Sequence, residues 1–174
     1  AGDDVLLIYG YNNDNNGSKT DRLRDKDLTA NSPPYAGKWN REHVFPKSLA
    51  TDSNGDFETM STSTGIGTDL HNLRPADQGW NSTRGAKKFE DSSGASSGAV
   101  TTGWYPGDEH KGDVARIIMY MYTMYANESL EALPNNVGLG GSNIHPDIPD
   151  IFLQWNADDP VDAFEEQRNE TIYS

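Results

Sequence analysis

Trp39-Asn-Arg-Glu-His-Val-Phe-Pro-Lys-Ser48 is the stretch on which the reading of this chain turns. An aromatic residue leads into a Glu–His pair and Pro46 closes the run, as in a short strand that ends where proline removes a backbone donor. On an extended backbone adjacent side chains point to opposite sides. Glu42 and His43 are therefore expected to face apart, so that one holds a cation while the other faces a water, provided the chain bends there. Asp69-Leu-His-Asn-Leu-Arg-Pro75 and Asn81-Ser-Thr-Arg84 answer this stretch from downstream. Asn81 offers a neutral amide oxygen, a hard donor of the type that suits Mg²⁺ or Ca²⁺.

Around this centre the chain reads as a loop-rich α+β domain spanning 1–174, with its functional core at about 38–90. The apolar run 4–10 predicts a buried strand that stops at Gly10, and 20–27 has no clean period. A second strand is predicted over 68–73, followed by a short helix started by Pro75 and Asp77 that carries Asn81 and Arg84 on one face. The polar stretch 50–67 is too long for an ordinary connection, and its Asp52-Ser-Asn-Gly-Asp56 loosely matches the opening of a calcium loop. Residues 92–103 read as a flexible Gly/Ser loop, 104–107 as a turn with packing aromatics, and 135–143 as a further turn-rich loop. Val114, Ile117, Ile118, Met121, Tyr122 and Tyr125 recur at helical spacing behind Asp113, the expected cap. Pro149 and Pro160 mark two later helix starts.

The net charge of −13, from 14 Lys+Arg against 27 Asp+Glu, argues against a protein held to nucleic acid by overall charge. The distribution is uneven, however. The stretch 147–170 is acid-rich with Arg168 as its one arginine, whereas Arg41, Lys47, Arg74, Arg84, Lys87 and Lys88 gather in or near the central motifs. A locally basic face on an acidic body follows, which a bound divalent cation would strengthen. The absence of cysteine excludes disulfides and thiolate chemistry. No apolar run approaches the length of a membrane span.

Each candidate has a plainer reading beside the chemical one. Glu42 could pair with Lys47 or Arg41; Asn81 could be an ordinary helical amide or, as Asn81-Ser-Thr, a glycosylation acceptor; Arg74 and Arg84 could be ion-paired. His43, beside a carboxylate at a strand end, is a candidate general base, because imidazole titrates near neutral pH without tuning. His71 reads as a buried structural residue, and His110 and His145 as loop residues without a role. Together the set contains the parts needed to hydrolyse a phosphodiester with one metal ion.

The motifs carry a resemblance. Trp39 to Ser48, Asp69-Leu-His-Asn-Leu-Arg-Pro-Ala-Asp77, Asn81-Ser-Thr-Arg-Gly85 and Phe89 are similar to the motif set of the endonuclease I family, secreted or periplasmic nucleases with a ββα-metal (His-Me) finger. Gly112-Asp-Val-Ala-Arg-Ile-Ile-Met-Tyr-Met121 and the stretch from Trp155 to Asn169 extend the resemblance towards the end of the chain. It implies largely sequence-nonspecific endonuclease chemistry on DNA, RNA or both, giving 5′-phosphate products. In that scheme His43 is the general base, and Glu42 and Asn81 hold one Mg²⁺-type ion (or Mn²⁺ or Ca²⁺). Arg84, Arg74 and Arg41 contact phosphate, while His71 and Asn72 brace the finger. Expected with it are a nucleic-acid partner, no membrane, a monomer and an additional structural Ca²⁺ in the acidic loops. An RNA-restricted enzyme is the alternative within this class. A calcium-binding surface or carbohydrate-binding module is the alternative from another, and it leaves Glu42, His43 and Asn81 without a use.

Overall fold

A computed structural model of the chain describes residues 3–49, 67–125, 137–139 and 150–174. The calcium-loop match at 52–56, His145 and most of the 135–143 loop lie outside the described residues.

The architecture is α+β, as the sequence predicts. In chain order it runs β1 (Asp4–Leu6), β2 (Leu23–Asp25), β3 (Trp39–His43), a 3₁₀ turn at Lys47–Leu49, β4 (Leu73–Asp77), α1 (Gln78–Arg84), β5 (Phe89–Glu90), β6 (Gly98–Ala99), β7 (Trp104–Tyr105), α2 (Lys111–Tyr125), β8 (Gly138–Leu139), α3 (Asp150–Asp158) and α4 (Ala163–Tyr173). β1 pairs with β2 and β3 with β4, both antiparallel, and a small four-stranded sheet has the order β6-β7-β5-β8. The helical spacing seen in the sequence forms α2, which buries Val114, Ile117, Ile118, Met121 and Tyr122. A single apolar cluster joins Ile8, Val44, Ala76, Phe89, Trp104, Ile118 and Phe152, so the strands of the central motifs and the helices share one core. Phe89, Phe152 and Trp155 meet edge to face within it, the favoured geometry for aromatic quadrupoles.

Four expectations are corrected. The second strand lies at Leu73–Asp77 rather than 68–73, because Asp69 and Leu70 close turns ahead of it: the Asp69 carboxylate accepts His71 N–H at 2.8 Å, and the Asp69 and Leu70 carbonyls accept Asn72 N–H and Leu73 N–H. The first strand ends at Leu6; Leu7, Ile8 and Tyr9 stay buried but leave the ladder, and Tyr9 adopts φ 73°. Gly10 then passes so close to Asp21 that a Cβ would stand 2.3 Å from its carbonyl oxygen, which only glycine permits. Asp113 lies inside the first turn of α2, where its carboxylate meets Arg74 at 3.0 Å and Arg116 at 3.5 Å instead of capping the helix. Within 92–103, Gly98–Ala99 forms β6 and Ser97 is buried, donating to Tyr9 O at 2.6 Å.

Candidate active site on the β3–β4–α1 unit

β3 and β4 pair in register, with Glu42 opposite Arg74 and His43 opposite Leu73. The chain then turns directly into α1, whose start is fixed by Asp77: its carboxylate accepts Gly79 N–H at 2.9 Å and Trp80 N–H at 3.1 Å. That short helix lays two side chains back across β3. Asn81 donates through Nδ2 to Asn40 Oδ1 (2.8 Å) and Arg41 O (3.2 Å), leaving its own Oδ1 without a hydrogen-bond partner among the described residues. Arg84 donates to His43 O (3.1 Å) and Val44 O (2.8 Å) and pairs with Glu42 Oε1 at 3.0 Å. The guanidinium also lies over the Phe89 ring, 4.7 Å from its centroid.

Glu42 is 2% exposed. Its Oε1 receives both the Arg84 ion pair and the Tyr9 hydroxyl, 2.9 Å away, so Oε2 carries neither bond. Burial raises the carboxyl pKa, with Arg84 and Tyr9 pulling against it. Tyr9 is itself fully buried, and burial followed by the charge of Glu42 holds its hydroxyl protonated and thus a donor.

His43 takes the other side of the strand. Its Nε2 lies 2.9 Å from Gly67 O. A carbonyl can only accept, so Nε2 carries the proton and the neutral ring keeps its lone pair on Nδ1. Burial lowers the imidazole pKa, and the cations Lys47, Arg41 and Arg84 push the same way. At neutral pH the ring is therefore a free base. It lines an open groove of about 390 Å³ together with Trp39 and Arg41, the residues that share its face of β3.

The Gly67 carbonyl is placed by the turn that follows it. Asp69 accepts from Tyr120 (3.2 Å) and Tyr125 (2.7 Å) of α2 as well as from His71. His71 stacks on Tyr120 with ring centroids 4.2 Å apart. Asn72, fully buried, clamps the backbone of Phe45 in both directions, its Oδ1 accepting Phe45 N–H at 2.7 Å and its Nδ2 donating to Phe45 O at 3.2 Å. Together they tie Phe45 and the turn at 67–72 to the rest of the fold.

A family description, Endonuclease I, matches residues 3–174. The chain belongs to the endonuclease I family. It is also 41% identical over 180 residues to a protein of Bacillus subtilis (strain 168), and 42% identical over 178 residues to one of Bacillus amyloliquefaciens, both named extracellular ribonuclease. Each alignment covers 97% of this chain but 54% of the relative, so the chain spans about half the length of the curated relatives it matches.

The three arginines of the family scheme lie at different depths. Arg84 is 1% and Arg74 2% exposed, and their guanidinia are committed to Glu42 and backbone carbonyls in one case and to Asp113, at 3.0 Å, in the other. Arg41 is exposed and stays with His43 on the groove. Tyr9 lies in the first apolar run, where no motif signals that its hydroxyl crosses to Glu42. His110, read as a loop residue, is buried and bonds Gly10 O through Nε2 at 3.0 Å. Among the described residues no group of three or more His, Asp or Glu is arranged to hold a metal, so a metal here would rest on Glu42, Asn81 and waters.

Proposed function

We propose that the chain is a metal-dependent, largely sequence-nonspecific endonuclease that hydrolyses RNA and DNA backbones, with His43 as general base. The observation that carries this reading is the bond between His43 Nε2 and Gly67 O, which leaves Nδ1 basic on a ring that lines an open groove. In the proposed step His43 Nδ1 takes a proton from a water as the water oxygen attacks phosphorus. The P–O3′ bond breaks, the 3′-oxygen leaves and takes up a proton from solvent water, and the phosphate stays on the 5′ side of the other product. Arg41 holds a phosphate oxygen on the same face. The donor set fits a hard cation: Glu42 Oε2 and Asn81 Oδ1 are the two oxygens that the surrounding bonds leave over, and Tyr9 and Arg84 fix the carboxylate between them. When bound there, a Mg²⁺-type ion supplies charge stabilisation for the phosphate and the departing oxygen.

The names of the two Bacillus relatives support RNA as a substrate and an extracellular setting. No described helix is long and apolar enough to cross a membrane. The binding-module alternative gives the oriented imidazole nothing to do. Plasmid DNA and structured RNA, each incubated with Mg²⁺ and with EDTA beside the His43→Ala protein, test the proposal. Cleavage that requires both metal and His43 is expected, and the RNA-to-DNA ratio decides whether the enzyme is restricted to RNA. Cleavage that survives EDTA or His43→Ala would sink this mechanism.

A further inference from the structure

Trp39 stands apart from the other tryptophans. Trp104 and Trp155 are fully buried in the core, and Trp80 packs edge to face on Trp104 at 5.2 Å. Trp39 is half-buried, lines the His43 groove and makes no ring contact with any described residue. Its orientation is nonetheless fixed: Nε1 donates to Lys26 O at 3.2 Å, its backbone N–H to Leu28 O at 2.9 Å, and its carbonyl accepts Ala30 N–H at 2.8 Å. Arg41 is the parallel case among the arginines. In an acidic chain every other arginine is paired with a carboxylate or a backbone carbonyl, and Arg41 has neither among the described residues.

Trp39, Arg41 and His43 alternate along one face of β3, and Thr29 and Asn31, from the segment bridged to Trp39, also line the groove. Alternate strand residues step by about 6.6 Å, comparable with the separation of neighbouring phosphates along a nucleic-acid strand. We infer that the groove is a subsite for an unpaired nucleotide next to the scissile phosphate: Arg41 takes the neighbouring phosphate and the Trp39 indole stacks on a base. A paired base has both faces covered by its neighbours in the helix and cannot offer one to Trp39. An aromatic platform beside a cation is the sequence-tolerant way to hold a single strand. The inference rests on the endonuclease reading and adds a preference for single-stranded RNA or DNA over duplex.

The test compares Trp39→Leu with Trp39→Phe, since both lose the N–H bond to Lys26 and only the first loses the aromatic face. Binding of fluorescein-labelled single-stranded RNA and DNA oligonucleotides is read by anisotropy in the His43→Ala background at low ionic strength, so that no turnover intervenes. Trp39→Leu is expected to weaken binding about tenfold or more, the loss expected for one base–aromatic stack, while Trp39→Phe retains most of it. Oligonucleotides lacking bases should be blind to either change. RNA and DNA arms that respond alike point to the shared base face; a response in one arm alone assigns the subsite to that sugar. Equal losses in the two variants, no loss in either, or no binding to any oligonucleotide would overturn the subsite. Because binding is read without cleavage, a protein that never cuts can still pass or fail this test, and failure of the catalytic reading is seen separately.

Discussion

His43 and His110 make the same hydrogen bond. Each donates through Nε2 to a glycine carbonyl, Gly67 at 2.9 Å for His43 and Gly10 at 3.0 Å for His110, and burial lowers the pKa of both. Both are therefore neutral, tautomer-fixed imidazoles at pH 7. They differ in what surrounds the other nitrogen. His43 lines an open groove beside Arg41, whereas His110 is 3% exposed at the entry to α2, its own carbonyl accepting Val114 N–H. Fixing a tautomer makes a good base only where a substrate can approach; elsewhere the same bond is a strut that pins the N-terminal segment to the helix.

The largest expected effect breaks this pair on its functional side. His43→Ala should lower kcat by about 10²- to 10⁴-fold, the range for loss of a positioned general base, with little change in melting temperature. His110→Asn should leave kcat within a few-fold and act on stability instead. If the two substitutions cost similar activity, the distinction between base and strut is wrong.

The next effect lies behind the strand. Arg84→Met leaves the Glu42 carboxylate buried with Tyr9 as its remaining partner, and breaking a buried pair in this way costs about 3–5 kcal/mol. Chemical denaturation should show a loss of that order. A substrate-binding arginine would give a raised KM with near-normal stability, and that outcome would favour the phosphate role instead. Tyr9→Phe is milder. It removes one hydrogen bond to a charged group, worth about 1.5–3 kcal/mol, and frees the carboxylate to rotate. Melting should show the stability loss. The concentration of Mg²⁺ needed for half-maximal cleavage should rise, which a purely structural tyrosine would not cause.

The extent to which these roles are legible in the sequence follows from distance along the chain. β3 and α1 are legible because their signals are local: alternation closed by Pro46, and Asp77 ahead of the helix. So is α2, from its apolar period. The second strand is misplaced because 68–73 also alternates, and the turn chemistry of Asp69 wins over it. The roles of Arg74, Arg84 and Tyr9 are not legible, because their partners lie 39, 42 and 33 residues away and nothing local marks an arginine as buried. Arg22 and Arg24 belong to the same class: both sit beside carboxylates, Glu109 and Asp77, that only the fold brings near.

The smallest effect returns to the two histidines and depends on the sign of a titration. With its folded pKa lowered by burial, His110 stays neutral while the unfolded chain takes up a proton as the pH falls below about 6.5. The unfolded state then binds more protons, so stability falls with pH from there until the folded pKa is reached and is flat below it. Carboxyls raised by burial, Glu42, Asp159 and Glu165, work in the opposite direction, since the folded state binds their protons more readily. The wild-type curve alone therefore cannot isolate His110; the difference between wild type and His110→Asn can. Measured by urea unfolding between pH 7.5 and 5, His110→Asn should be less stable at pH 7.5 by about 0.5–1.5 kcal/mol, the net worth of one hydrogen bond. The gap should narrow as the pH falls, because the variant has no imidazole to keep neutral. A gap that widens on acidification would mean that His110 gains stability by becoming charged, and its neighbours Glu109 and Arg22 would have to be reassigned around an imidazolium.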